Sequence, residues 1–366
     1  MAGWLRRRQA YAENELPALV RAAVSDDGAM RLLVLGGTHH VGRAVVEAAL
    51  ARGDDVTTLM RGVSGPPAAG ARALHADRTK PGELPAVLGG AVWDAVIDTW
   101  SGAPHAVRDA AQLLASRAGH YCYVSSRSVY RWPIPPGTDE SAPVVEADPR
   151  SMASDDYAAA KRGGELAAAE AFGGRALLAR AGLILGPYEI TGRMPWWLRR
   201  IERGGDVLAP GPPDLPLQYI DGRDLAAWLL HAAEDGVGGV INTVSKPGQA
   251  TMRSLLEAAK AATGSPAHLV WVPPEVITRA GIAPWTELPV WVPPDSELIG
   301  LHTGDASAAY AAGLSCRPIE ETVADTWAWL QAEGDPPPAP DRPAHGVDPD
   351  REREVLAMAA SAEGPA

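Results

Sequence analysis

Apolar residues along the chain gather in short, dense runs separated by longer amphipathic stretches. RLLVLGG (31–37), DVTTLM (55–60), ARALHA (71–76), DAVIDTW (94–100), HYCYVSS (120–126) and RALLARAGLI (175–184) have the length of strands. The stretches 41–52, 104–118 and 155–172 predict helices between them. Strand–helix–strand alternation with apolar strands predicts an α/β fold, a doubly wound parallel sheet covered on both faces. After Pro187 the texture changes: the turns GPPDLP, WVPPE and WVPPD separate helices at about 193–203, 222–234, 251–262 and 320–330. This predicts a smaller lobe over 187–332, interleaved with the sheet, and places the sheet domain itself at 30–186. Residues 1–29 read as a helical, mixed-charge extension. EGDPPPAPDRPAHGVDPD (333–350) is too rich in Pro and Asp to pack, so 333–366 is expected to be a disordered tail with a short helix at 351–361.

At 366 residues and 46% apolar composition the chain is long enough for a substantial core, as one large domain or two coupled ones. A net charge of −12 argues against a general nucleic-acid binder. Cys122 and Cys316, the two cysteines, lie far apart and give neither a metal-ligand spacing nor a disulfide framework. They read as buried thiols of a cytoplasmic protein, with no metal. No run of 18 apolar residues exists, so no transmembrane helix and no membrane partner is expected. WLRRR (4–8) resembles the basic start of a signal peptide, but Glu13, Asn14 and Glu15 fall where such a peptide requires an apolar stretch.

The first strand runs into Gly36-Gly37-Thr38-His39-His40-Val41-Gly42-Arg43. A glycine-bearing turn between a first strand and its helix brings backbone N–H groups and the helix dipole onto a pyrophosphate, as in Rossmann-type dinucleotide sites. The plain alternative is an ordinary tight turn, and His39 stands where such loops usually have a glycine. At the end of the second strand, Leu59-Met60-Arg61-Gly62 carries no acid to hold a ribose 2′-hydroxyl. Arg61 and Arg43 at that corner suit the 2′-phosphate of NADP, which favours NADP(H) over NAD(H) unless both are surface arginines. Asp77, after the third strand, is placed to meet the adenine edge or to cap its turn.

Only four lysines occur, Lys80, Lys161, Lys246 and Lys260, and Lys161 follows Tyr157 by four residues in a helical run. At that spacing the two share one helix face. A free tyrosine, with a pKa near 10, transfers protons poorly at neutral pH, and a neighbouring ammonium stabilises its phenolate. Upstream, VSSRSVY (124–130) ends a strand, where the Ser126 hydroxyl can polarise a substrate carbonyl. The bland readings are a surface phenol and a strand-end serine.

The glycine loop, the strand ending in Ser126 and the Tyr157/Lys161 pair together resemble the short-chain dehydrogenase/reductase superfamily, and within it the extended NAD-dependent epimerase/dehydratase branch. Arg180-Ala-Gly-Leu-Ile-Leu-Gly-Pro187, Gln218-Tyr-Ile-Asp-Gly-Arg-Asp-Leu225 and Arg317-Pro-Ile-Glu-Glu-Thr are similar to segments of that branch, over about 30–330. The resemblance implies that Ser126 orients the substrate oxygen and Tyr157 donates or accepts the proton. Lys161 would lower the tyrosine's pKa and hold the nicotinamide ribose. It also implies a homodimer through the helices at 104–118 and 155–172, with Ala167–Ala169 permitting close packing.

Three departures from the branch bear on the substrate. Leu183 stands where sugar-nucleotide members have Asn, Arg127-Ser128 replaces the dehydratases' Asp-Glu pair, and the asparagine of the proton relay has no counterpart in the cofactor lobe. The expected activity is therefore NAD(P)(H)-dependent oxidation or reduction of a small, largely uncharged carbonyl or alcohol compound. Tyr130, Trp132, Trp196 and Trp197 are candidates to frame that substrate, although most tryptophans serve as core. The alternatives are an epimerase or dehydratase that uses the cofactor transiently, and a non-catalytic nucleotide-sensing or RNA-associated relative.

Overall fold

The computed structural model describes residues 28–63, 65–336 and 345–362, together with Pro17 and Val20. All but four residues of the extension expected over 1–29 lie outside them.

The apolar runs become β1 (Arg31–Leu35), β2 (Asp55–Met60), β3 (Arg72–His75), β4 (Trp93–Asp98), β5 (Ala118–Ser126) and β6 (Ala176–Ala181). A strand that the sequence pattern does not single out, β7 (Gly239–Thr243), completes a seven-stranded parallel sheet ordered β7-β6-β5-β4-β1-β2-β3. The helices are α1 (His40–Ala51), α2 (Glu83–Leu88), α3 (His105–Leu114), α4 (Tyr157–Phe172), α5 (Arg193–Glu202), α6 (Gly222–Asp235), α7 (Met252–Thr263), α8 (Pro274–Arg279), α9 (Ser307–Ala311), α10 (Ile319–Glu333) and α11 (Pro349–Ala362).

Strand side chains alternate between faces, and both faces are covered. Leu32 and Val34 of β1 pack with Val45 and Val46 of α1 and Leu229 and Leu230 of α6. Leu33 and Leu35 point the other way, to Val107 and Leu114 of α3 and Ala168 and Phe172 of α4. A third core fills the lobe, where residues 206–210 and 268–272 form a parallel pair under Trp197, Leu256 and Trp291.

Three expectations need correction. The run 175–184 is not one strand: Gly182 leaves the sheet, and Leu183–Leu185 pairs instead with Tyr219–Asp221. A Cβ at Gly182 would stand 2.4 Å from Val244 Cγ2, so only glycine allows this crossing. With β7 and α6, the sheet body therefore extends well past Pro187. Second, the part of the tail from His345 to Ala362 is packed. Val347, Val355 and Ala359 enter the lobe core, and Glu352 accepts a 2.6 Å bond from Arg200 Nε and a 3.1 Å bond from Leu208 N. Pro and Asp in the preceding linker mask the apolar i, i+4 pair Val355/Ala359. Third, of the three small residues expected at a close-packed helix face, Ala167 and Ala168 are buried against the chain's own sheet and Ala169 alone is exposed.

Among the described residues no helix is long and apolar enough to cross a membrane, and no three His, Cys, Asp or Glu side chains gather as a metal site. Cys122 is buried and Cys316 half-buried, both free thiols.

Glu352→Ala leaves the buried Arg200 guanidinium without its carboxylate. It is expected to cost about 3 kcal/mol in urea unfolding; an unchanged midpoint would show that α11 does not belong to the cooperative unit.

Candidate active site

The strand order reverses between β1 and β4, and the loops leaving those strands meet over the crevice, where open α/β sheets place their ligands. Gly36 takes φ 104°, and a Cβ there would stand 2.3 Å from Thr99 Oγ1. A Cβ at Gly42 would lie 2.9 Å from Gly37 N, so α1 can seat on the turn only through glycine. His39 has φ −131°, extended backbone that any residue adopts, which accounts for a histidine in the middle of the loop. It gives α1 no side-chain cap, so the first-turn N–H groups of His40, Val41 and Gly42 stand at the positive helix end ready for an anion. The turn from Gly36 through Thr38 to Arg43 therefore fits a dinucleotide pyrophosphate. His40 contributes its amide only: its ring is turned inward against Asp221 and Leu185, and burial pushes its pKa down to about 4.

The 2′-corner differs from expectation. Arg43 Nε is bonded to Glu47 Oε1 at 2.5 Å, and its guanidinium lies 5.6 Å from the Tyr188 ring centre. Arg43 is thus engaged, and Arg61 follows β2 as an exposed residue. Asp77 Oδ1 accepts from Thr79 Oγ1 at 2.6 Å and Thr79 N at 3.0 Å, the turn-capping role.

Ser126 is the last residue of β5; its Oγ accepts from Ser128 N at 3.1 Å. Tyr157 opens α4 behind Asp156, which caps the helix by accepting from Ala159 N at 3.0 Å. The phenol is 42% exposed, accessible to a substrate. Lys161, one turn on, is buried, and its Nζ donates to Trp100 O at 2.6 Å and to Val124 O at 2.7 Å. The ammonium is thus tied to β5 two residues before Ser126. Burial lowers the Lys161 pKa to about 8, opposed by the carboxylates of Asp98 and Glu165.

What brings α4 so close is a pair of glycines that the sequence pattern does not single out. A Cβ at Gly164 would lie 2.4 Å from the Tyr123 hydroxyl oxygen, and one at Gly163 would lie 2.6 Å from Pro104 Cγ. Two glycines inside a helix cost about 1 kcal/mol each in propensity, and that is the signal by which they could have been found. Arg180, of the segment ending in Gly186-Pro187, is structural: its Nε and Nη2 bind Glu165 at 2.8 and 3.0 Å. Glu165 also accepts from Ser125 Oγ at 2.7 Å.

Of the four proposed substrate aromatics, two are core. Tyr130 is buried under Arg180, and its hydroxyl donates to Asn242 Oδ1 at 2.7 Å. Trp197 is fully buried with Nε1 on Pro289 O at 2.8 Å. Trp196 packs edge-on to Trp197, with Gly346 of the C-terminal segment so close that a Cβ would overlap its indole. Trp132 remains at the surface, 43% exposed. Arg127, where dehydratases have an acid, is buried and turned away from the crevice, donating to Leu301 O at 2.9 Å and Gly300 O at 2.7 Å.

A family model described as the NAD-dependent epimerase/dehydratase family matches residues 32–244. No curated protein matches the chain. Among solved structures, the chain is similar to a putative epimerase from Burkholderia cenocepacia, with 20% identity and TM-score 0.63 over 83% of this chain and 98% of that one. It is similar also to the Bordetella bronchiseptica enzyme WbmH in complex with NAD+, with 16% identity and TM-score 0.62 over 84% and 100%. A third is the UDP-glucose 4-epimerase of Thermus thermophilus in complex with NAD, with 18% identity and TM-score 0.59 over 83% and 100%. These likenesses establish the fold.

Gly36→Ala places a side chain in left-handed backbone and against Thr99. The variant is expected to keep its circular dichroism spectrum while losing at least about tenfold in NAD(P) affinity by fluorescence titration; unaltered affinity would take the dinucleotide away from this turn.

Proposed function

Since the chain belongs to the NAD-dependent epimerase/dehydratase family, we propose that it is an NAD(P)-dependent enzyme of the epimerase type, acting on a carbinol carbon and regenerating its cofactor within one turnover. The observation that carries this reading is the Lys161 ammonium, fixed on two backbone carbonyls one helical turn from Tyr157, at the strand end that presents Ser126. The turn at 36–43 would hold the pyrophosphate, and the nicotinamide, when bound, supplies hydride acceptance and return. Ser126 Oγ hydrogen-bonds the substrate oxygen and orients it. Tyr157 takes the hydroxyl proton as the carbinol is oxidised and gives it back on reduction. The positive charge of Lys161 favours the phenolate during that exchange. Arg127 and Ser128 supply no acid–base pair after Ser126, which disfavours dehydration.

For the substrate we infer a small, largely uncharged hydroxyl compound in place of a sugar diphosphate. Four arginines of the lobe are engaged internally: Arg199 with Glu202 and Asp335, Arg200 with Glu352, Arg223 with Asp221 and Asp325, and Arg317 with Asp224. A second reading, net NAD(P)H-dependent reduction of a carbonyl compound, uses the same three residues and is favoured by the same lack of a diphosphate cradle. Preference for NADP, if present, rests on Arg61, because Arg43 is held by Glu47 and Tyr188.

The epimerase reading expects purified protein to carry dinucleotide detectable by mass spectrometry. It also expects hydroxyl substrates to be turned over without net NAD(P)H change; stoichiometric consumption would select the reductase reading. In the same screen UDP-glucose should neither bind at micromolar concentration nor be converted, and its conversion would overturn the substrate inference. Tyr157→Phe is expected to lower turnover by about 10²–10⁴-fold with cofactor binding intact; full activity would sink the mechanism. Arg61→Ala should weaken NADPH binding by at least about tenfold and leave NADH binding alone, and an equal effect on both would make the arginine a surface charge.

A further inference from the structure

Among the described residues no carboxylate touches Lys161. Its ammonium is received by two backbone carbonyls, and these are fixed in different ways. Val124 lies inside the sheet, where β5 pairs residue by residue with β6. Trp100 lies beyond the end of β4, in the turn that crosses the crevice, and nothing in the sheet ladder sets the direction of its peptide. Asp98 anchors the residue from its amide side: Asp98 Oδ1 accepts from Trp100 N at 2.9 Å. The Trp100 carbonyl then accepts both Lys161 Nζ at 2.6 Å and the Tyr123 hydroxyl at 3.2 Å.

Asp98 is fully buried, and its remaining capacity is filled by groups that lock it in place. Arg78 grips it through both terminal nitrogens, Nη1 to Oδ1 at 2.6 Å and Nη2 to Oδ2 at 2.7 Å, while Tyr121 donates its hydroxyl to Oδ2 at 2.6 Å. Arg78 is in turn anchored by Ala106 O at 2.9 Å and lies over the Trp100 ring at 5.2 Å. Burying an ion pair brings little net stability compared with apolar residues of the same volume, so this arrangement asks for another reason. The geometry points to one: we propose that Arg78 and Asp98 are positioning residues of the Tyr157/Lys161 centre, holding the Trp100 peptide so that its carbonyl receives the Lys161 ammonium. The inference rests on the catalytic reading of that pair.

The charges around Lys161 allow a test that does not need turnover. Asp98 and Arg78 face it from β4 and from the turn after β3, Glu165 from its own helix with Arg162 and Arg180 bound to it, and Tyr121 and Tyr123 from β5. Tyr157 lies on the same helix. Burial keeps both β5 phenols neutral. Asp98 holds the Lys161 pKa up and Arg78 holds it down, so removing one or the other must move it in opposite directions.

The chain has four lysines, so protein labelled with ¹³C-lysine gives few side-chain signals, and Lys161→Arg identifies that of Lys161. Its titration is expected near pH 8 in the unaltered protein. Asp98→Asn is expected to lower the ratio of ammonium to amine at pH 8 by at least about threefold, and Arg78→Gln to raise it by a similar factor. Tyr121→Phe, which loosens Asp98 without changing any charge, is expected to lower it by less, because the Trp100 carbonyl is then held less firmly on the ammonium, and it decides the matter if the other two do not fold. A rise in Asp98→Asn, or no fall in Tyr121→Phe, would overturn the proposal. Because no measurement in this set uses a substrate, an error in the assigned reaction would leave the result unaffected.

Discussion

The close approach of α4 to the carboxyl ends of β4 and β5 is the constraint on which the rest of the crevice depends. It exists because Gly163 and Gly164 present no side chain where Pro104 and the Tyr123 hydroxyl stand, at 2.6 and 2.4 Å from the missing Cβ positions. Larger residues would lift the helix, and the Lys161 ammonium would lose the carbonyls of Trp100 and Val124. With the helix seated, the i, i+4 spacing leaves Tyr157 at its open end, beside the strand that terminates in Ser126. The helix gives up intrinsic propensity in its middle to gain this seat.

Several charged side chains are buried around that seat, each held by its own set of partners. Glu165 binds Arg180, Arg162 and Ser125. Asp98 binds Arg78, Tyr121 and a backbone N–H. Arg127 has carbonyl oxygens and Gln218 as its partners, and ties the end of β5 to the segment 299–304 of the lobe. Gly304 faces it so closely that a Cβ would overlap the guanidinium. Buried polar groups held by several partners make a single arrangement far better than its neighbours, because a displaced member leaves further unsatisfied groups in a region of low dielectric. Here such networks join the sheet, the helix and the lobe around one crevice.

Several arginines of the lobe serve its own packing. Arg200 holds α11 through Glu352, Arg223 and Arg317 share Asp221, Asp224 and Asp325, and Arg193 lies over the Trp285 ring at 5.2 Å. Trp197 and Trp291 are packed inside it. These arginines and aromatic faces are spent on the lobe's own packing.

The sequence by itself determined the α/β class, the positions of six strands and most helices, the nucleotide turn and the Tyr157/Lys161 spacing. These are short-range matters: strand and helix periods, φ at glycine and the i, i+4 face are settled by neighbours along the chain. Tertiary structure decided the rest. β7 is a five-residue strand that only its neighbour β6 makes legible. The break at Gly182 depends on Val244, and the packing of α11 on Arg200 and the lobe core, all distant in sequence. Arg43 looked free until Glu47 and Tyr188 were seen beside it, and Tyr130 and Trp197 looked like pocket walls until their hydrogen bonds placed them inside. A pattern of residue types states which side chains are able to do chemistry; which of them are already occupied is set by contacts between residues far apart, and only the folded chain holds those.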